Sequence, residues 1–231
     1  MTEKVVPICL FVYNRPDHTR QTLKALSRNS LAPKSRLYIF ADGPKADADA
    51  EDQRQLRAVR HLIREQSWCG EVELIESDTN RGLARSIRSG VDRVLEEHDR
   101  VIVLEDDLET SSGFLSYMND ALNVYENEDK VFQVSGFMVK SRPWATSTGF
   151  LRVSTSWGWA TWRRAWRHYR HDAETLLEEV EAKGRTAFDL GGYSFHFDEL
   201  ERNVKGDLNT WAVRWYASIF LNDGLCLYPR K

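Results

Sequence analysis

The sequence predicts an α/β domain on a mainly parallel, doubly wound sheet flanked by helices, and three observations carry that expectation. Short apolar runs alternate with segments of helical periodicity over the amino-terminal half. The run 101–104, Val-Ile-Val-Leu, is continuously apolar, as a strand buried on both faces must be. The apolar runs end in polar or glycine-containing turns, and open α/β sheets bind ligands outside the carboxyl ends of their strands.

Residues 5–12 read as the first strand, closed by the breaker Asn14-Arg15-Pro16. A helix follows over 17–26, with Leu23 and Leu26 on one face. Residues 37–40 form a second strand that ends in the turn Ala41-Asp42-Gly43-Pro44, followed by a charged, alanine-rich loop over 44–52. Leu56, Val59 and Ile63 mark a helix over 52–64. Residues 72–75 give a third strand, after which Asn80-Arg81-Gly82 introduces a helix with Leu83, Ile87, Val91 and Val94 at spacings of four, four and three. Beyond the strand 101–104, Ser111 or Ser112 is positioned to cap a helix carrying Phe114, Met118, Leu122 and Tyr125. Residues 131–134 are a fifth strand.

The remainder changes character. An aromatic segment spans 157–169, a charged helix 173–183, a glycine-containing stretch 191–193 and a helix 211–221, with Trp211, Trp215 and Ile219 four apart. Residues 1–139 are therefore expected to form the ligand-binding α/β half. Residues 140–231 are expected to cap the crevice within the same domain.

A chain of 231 residues buries a substantial core. Its net charge of −3 and scattered basic residues give no electrostatic case for nucleic acid. Cys9, Cys69 and Cys226 are odd in number and unpatterned, which fits a reducing compartment, and the cytoplasm is the expectation. The apolar stretch 5–13 is too short to span a bilayer. Of the eight tryptophans, Trp144, Trp157, Trp159, Trp162 and Trp166 crowd one region, which concentrates aromatic contact surface there.

The residues with most to say about chemistry are Glu105, Asp106 and Asp107, three consecutive acids directly after the strand 101–104. Adjacent carboxylates repel one another unless a cation neutralises them, and at a strand's carboxyl end they suit a divalent metal and phosphates. A solvated acidic turn is the alternative. Asn14-Arg15-Pro16 and Asp42-Gly43 end two earlier strands, so the three loops converge on one crevice. Arg81, Arg85 and Arg88 surround a helix amino terminus and could touch diphosphate, although a solvated basic face explains Arg88 better. His168 and His171 have no cysteine partner and read as surface residues.

The segments Pro7-Ile8-Cys9-Leu10-Phe11-Val12-Tyr13-Asn14-Arg15-Pro16, Phe40-Ala41-Asp42-Gly43, Asn80-Arg81-Gly82-Leu83-Ala84 and Val103-Leu104-Glu105-Asp106-Asp107-Leu108 resemble nucleotide-sugar glycosyltransferases of the GT-A fold. The chain is similar to bacterial family two enzymes and, more distantly, to the N-acetylglucosaminyltransferase I group, whose metal motif is also Glu-Asp-Asp. That group has a histidine where this chain has Ala84. The resemblance implies that Arg15 and Asp42 hold the nucleotide base and ribose, with Arg81 and Arg85 also on the donor. It makes Asp107 the direct ligand of Mn²⁺ or Mg²⁺, Asp106 a ribose and sugar contact, and Glu105 a supporting acid. Residues 1–139 become the nucleotide-sugar-binding half and 140–231 the acceptor side.

Ser156-Trp157-Gly158-Trp159-Ala160-Thr161-Trp162 resembles the Gly-Trp segment lining the sugar and acceptor side of related enzymes. Trp157 and Trp159 are the expected acceptor contacts, with Gly158 admitting close approach of a ligand, while Trp162 and Trp166 read as core. Inverting transfer needs a carboxylate base for the acceptor hydroxyl. Relatives place an Asp beside the tryptophan that starts the last helix; here the sequence is Thr210-Trp211-Ala212, so Asp207 is the first candidate, with Asp198 and Glu199 as alternates. Bacterial relatives build surface polysaccharides, which implies a saccharide or lipid-linked saccharide acceptor and peripheral association with the inner face of the cytoplasmic membrane. Relatives also continue beyond the position of Lys231, so a carboxyl-terminal truncation is an expectation. Rival readings are a sugar nucleotidyltransferase, although Tyr13-Asn14-Arg15-Pro16 lacks the glycine-rich loop of that class, and a non-catalytic carbohydrate-binding module.

Overall fold

The computed structural model describes residues 5–138 and 148–230. Trp144 and the expected boundary between 139 and 140 lie outside the described residues. Among the described residues, eight strands form one mixed, mainly parallel sheet: β1 (Ile8–Val12), β2 (Arg36–Ala41), β3 (Glu71–Glu76), β4 (Arg100–Glu105), β5 (Val131–Ser135), β6 (Gly149–Leu151), β7 (Trp159–Trp162) and β8 (Leu225–Tyr228). Their order is β3-β2-β1-β4-β7-β5-β8-β6. β1 pairs in parallel with both β2 and β4, and β2 with β3, so the carboxyl ends of these strands face one edge.

The helices are α1 (Pro16–Ser27), α2 (Ala50–Leu62), α3 (Leu83–Glu97), α4 (Phe114–Val124), α5 (Arg163–Trp166), α6 (Ala173–Phe188), α7 (His196–Lys205) and α8 (Trp211–Leu221). They cover both faces of the sheet because the strands are apolar on both. Ile8, Leu10 and Val12 of β1 pack with α1, α2 and α4, through residues such as Leu23, Val59 and Met118. Cys9 and Phe11 point the other way, into a core with Ile87 and Val91 of α3 and Trp211 and Trp215 of α8. A third cluster joins α6, α7 and α8 around Leu176, Phe188, Leu200 and Tyr216. The edge strand β3 carries Glu71, Glu73 and Glu76, charges that discourage pairing with another chain.

Several local expectations are corrected. The helix after the acids is N-capped by Gly113, with no side-chain cap from Ser111 or Ser112. The aromatic segment hides a strand: Trp159–Trp162 is fully buried and runs antiparallel between β4 and β5, pairing Val103 with Trp159 and Ser135 with Trp159. β7 therefore lies between β4 and β5, and both halves of the chain contribute to one sheet. α7 was not expected as a helix; the stretch before it turns through Leu190, Gly191 and Gly192, all at positive φ.

Candidate active site

A cavity of about 280 Å³ opens where β1, β2 and β4 end. Its apolar floor is Phe11 on Phe40, stacked at 4.9 Å between centroids. Gly90 of α3 lies against these rings, and a Cβ there would come within 2.7 Å of Phe11. Arg15, Asp42, Glu105 and Asp106 line the polar side, together with Lys45, Asn80 and Ser86.

The acid cluster is tied to its neighbours, with Asp106 buried and Asp107 exposed. The Thr22 hydroxyl of α1 donates to the Asp106 carbonyl at 2.9 Å, fixing the end of β4 to α1. The Asp106 side chain is buried; Arg15 Nη2 donates to its Oδ1, while Oδ2 is buried with no partner. Arg15 Nη1 donates to Asp107 Oδ2 at 3.1 Å, so one guanidinium bridges two acids. Burial, with the charges of Asp107 and Asp106 adding to it, pushes the Glu105 carboxyl up to about 7, against the pull of Arg15 and a hydrogen bond from Trp211. Burial likewise raises Asp106, opposed by Arg15.

Arg15 thus spends its donors on acids rather than presenting a bare fork to a nucleotide. Asp42 is also engaged. Its Oδ1 accepts from the backbone N–H of Gly43 and Arg81, both at 2.9 Å, and its Oδ2 from Gly82 N–H at 3.0 Å. The carboxylate ties the turn after β2 to the start of α3. Gly43 is required there, because a Cβ would meet the Thr79 backbone at 2.5 Å. Arg81 and Arg85 are exposed; Arg81 lines a polar annex behind Asp42, and Arg85 lies one turn into α3. α3 begins with no side-chain cap, and Gly82 and Leu83 line the cavity, an arrangement suited to an anion.

A second cavity, about 360 Å³, lies between the loop before β7 and helices α7 and α8. It is lined by Val153 to Trp157 on one side and by His196, Glu199, Trp211 and Ala212 on the other. Trp211 connects the two cavities, since it lines the second and helps to hold down the Glu105 carboxyl of the first. Trp157 is 53% exposed and meets Phe137 edge-on at 4.6 Å. The expectation for Trp159 is corrected: it is 0% exposed, stacked on Trp211 at 5.1 Å, and has no surface for an acceptor. Gly158 is likewise buried, at φ 68°, with a built Cβ 3.2 Å from Phe114; close packing of the core, not of a ligand, explains it.

The three candidate bases differ in position. Asp207 is exposed in the loop after α7 and lines neither cavity. Asp198 points to Arg185 at 2.8 Å on an exposed face. Glu199 is half-buried, lines the second cavity, and its Oε1 accepts from the Thr210 hydroxyl at 3.0 Å. His196 lies nearby on the same helix, its imidazole lowered by burial and pulled back up by the charges of Glu199 and Asp189. Phe11, Phe40, Lys45 and His196 were not expected as lining residues, and nothing in the sequence announced α7.

Among the described residues no three or more His, Cys, Asp and Glu side chains gather to hold a metal by themselves. The donor set instead fits an ion completed by its substrate: the unpartnered Asp106 Oδ2, the exposed Asp107 carboxylate, and oxygens from phosphate and water. Also among the described residues, no helix is long and apolar enough to cross a membrane.

Among solved structures, the chain is similar to a mannosyltransferase, PcManGT from Pyrobaculum calidifontis, in complex with GDP-Man and Mn²⁺, at 15% identity and TM-score 0.47, covering 78% of this chain and 46% of that one. S. aureus TarS 1–349 matches at 12% identity and TM-score 0.47, over 96% and 57%. An active-site mutant of LgtC matches at 10% and 0.49, over 96% and 72%. The chain thus spans about half the length of the first two, at 46% and 57%. No curated protein matches the sequence. Nothing in these comparisons supports the more distant likeness to the N-acetylglucosaminyltransferase I group in particular. The family profile described as glycosyl transferase family 2 matches residues 8–188, most of the chain, and with the sheet order and the acids at the end of β4 it identifies this protein as a member of glycosyl transferase family 2.

Proposed function

We propose that the chain binds a nucleotide-sugar in the cavity at the ends of β1, β2 and β4, and transfers the sugar with inversion to a hydroxyl of a saccharide or lipid-linked saccharide held in the second cavity. The observation that carries this reading is the acid cluster: a buried Asp106 with one unpartnered oxygen beside an exposed Asp107, at the rim of a cavity with a stacked aromatic floor. Asp107 and Asp106 would hold Mn²⁺ or Mg²⁺, which supplies charge stabilisation to the leaving diphosphate. The open amino end of α3 supports an anion there, and Asp42 keeps the flanking turn in place.

On the acceptor side the reading favours Glu199 over Asp207 and Asp198. Glu199 lines the cavity that also contains Trp157, and its hydrogen bond to Thr210 brings it beside the start of α8. A carboxylate so placed takes the proton of the attacking hydroxyl. The exposed face of Trp157 suits the C–H face of a sugar ring. A role in surface polysaccharide synthesis, at the inner face of the cytoplasmic membrane, accords with the bacterial resemblance.

A donor-turnover assay with a panel of nucleotide-sugars and Mn²⁺ tests the proposal. Sugar transfer, or slow release of nucleoside diphosphate by donor hydrolysis, is expected. Release of pyrophosphate would indicate nucleotidyl transfer instead, and binding with no turnover would indicate a carbohydrate-binding module.

A further inference from the structure

The bridge from Arg15 to the acids bears on how the metal reaches its site, an inference that rests on the metal reading above. Three consecutive acids end β4, and Arg15 alone is seen to donate to two of them, through Nη2 to Asp106 and Nη1 to Asp107 at 3.1 Å. Asp107 is exposed, and Arg15 already occupies its Oδ2. Asp106 is 3% exposed, and its Oδ2 is buried without a hydrogen-bond partner. The cluster is therefore already partly neutralised in the ligand-free protein, and by a group fixed in the turn after β1.

We propose that Arg15 is a resident counter-ion of the metal site, which a divalent cation must displace from Asp107 before it can bind. Arg15 then acts as a positioning residue with two states. Without metal it offsets the repulsion among Glu105, Asp106 and Asp107. With metal its guanidinium is released toward the cavity that it lines, where a nucleotide-sugar would meet it. Such an exchange keeps the empty site from trapping metal tightly and couples metal entry to donor binding, because the Nη1 freed from Asp107 gains a new partner only when the donor arrives.

The experiment measures Mn²⁺ binding to the full chain without nucleotide, by water-proton relaxation and by the Mn²⁺-induced rise in melting temperature. Arg15→Met is expected to bind Mn²⁺ at least about tenfold more tightly than wild type, the range for removing one competing charged hydrogen bond, and to show the larger thermal shift. Lys45 lines the same cavity and controls for charge at a distance. Lys45→Met is expected to change the affinity less than about threefold, as a screened charge does. Unchanged or weaker Mn²⁺ binding in Arg15→Met overturns the proposal, as does an equal gain in Lys45→Met. If Arg15→Met fails to fold, Arg15→Lys, which keeps the charge and loses the two-pronged contact, is expected to gain about threefold, and no gain overturns the idea. Failure of the metal reading looks different: neither wild type nor variant then binds Mn²⁺, even with saturating nucleoside diphosphate.

Discussion

On the β3-β2-β1-β4 side of the sheet all pairings are parallel, and the polar residues of the first cavity stand mainly in the turns at the strands' carboxyl ends. On the β7-β5-β8-β6 side most pairings are antiparallel, and the second cavity is built from a loop and two helices packed on an aromatic core. Trp159, Trp166, Trp211 and Trp215 form that core, with neighbouring centroids 5.0 to 6.3 Å apart. One side positions chemistry by backbone regularity, the other by bulk. Substitutions on the first side should therefore act mainly on ligand binding. On the second side they divide sharply between core residues, which hold the fold, and cavity residues, which act on transfer.

The largest expected effect is at Glu199. Glu199→Gln should lower the transfer rate by about 10² to 10⁴, the usual weight of general acid–base catalysis, with donor affinity unaltered. Asp207→Asn and Asp198→Asn should remain near the wild-type rate in the same single-turnover assay. A wild-type rate for Glu199→Gln would remove Glu199 from the mechanism.

The pair Trp159 and Trp157 sharpens the contrast within the second side. Trp159→Ala empties a buried indole site and should cost about 3–5 kcal/mol in denaturant unfolding. Trp157→Ala should change stability by no more than about 0.5 kcal/mol, since the indole is exposed, and should instead raise the acceptor KM severalfold. Equal stability losses at the two positions would show that exposure does not separate their roles.

Legibility followed that division only in part, since β5, α6 and α8 of the second side were also readable at 131–134, 173–183 and 211–221. The β1 to β4 alternation, α1 to α3, and the convergence of Arg15, Asp42 and the acids on one edge were readable, because parallel strands buried on both faces announce themselves as apolar runs. β7 was not, since Trp-Ala-Thr-Trp is buried on both faces yet shows no alternation and sits in a longer aromatic stretch. Trp159 was misassigned for the same reason: indoles signal core and sugar contact alike. α7 follows a Gly-Gly turn, and its burial of Phe197 and Leu200 depends on α6 and α8, which only tertiary contact reveals. The partners of Asp42 were also invisible in sequence, because three backbone N–H groups leave no mark on residue identity.

Asp42 gives the smallest effect, and one that crosses between folding and binding. Asp42→Asn keeps the shape but replaces a charged acceptor with a neutral one, so it should weaken nucleotide binding by about 1–3 kcal/mol through loosening of the turn. Calorimetric titration of nucleoside diphosphate into the variant checks this. Unaltered affinity would mean that the turn after β2 does not shape the donor cavity.

The central claim, a metal-assisted nucleotide-sugar site at the end of β4, is tested most directly by titrating nucleoside diphosphates into wild type and Asp107→Ala with and without Mn²⁺. Wild type is predicted to bind at least about tenfold more tightly with Mn²⁺, the effect of one well-made charged contact. Asp107→Ala is predicted to lose that dependence while keeping its metal-free unfolding midpoint, because it removes one of three mutually repelling acids. Full Mn²⁺ dependence in Asp107→Ala, at wild-type affinity, would contradict the account.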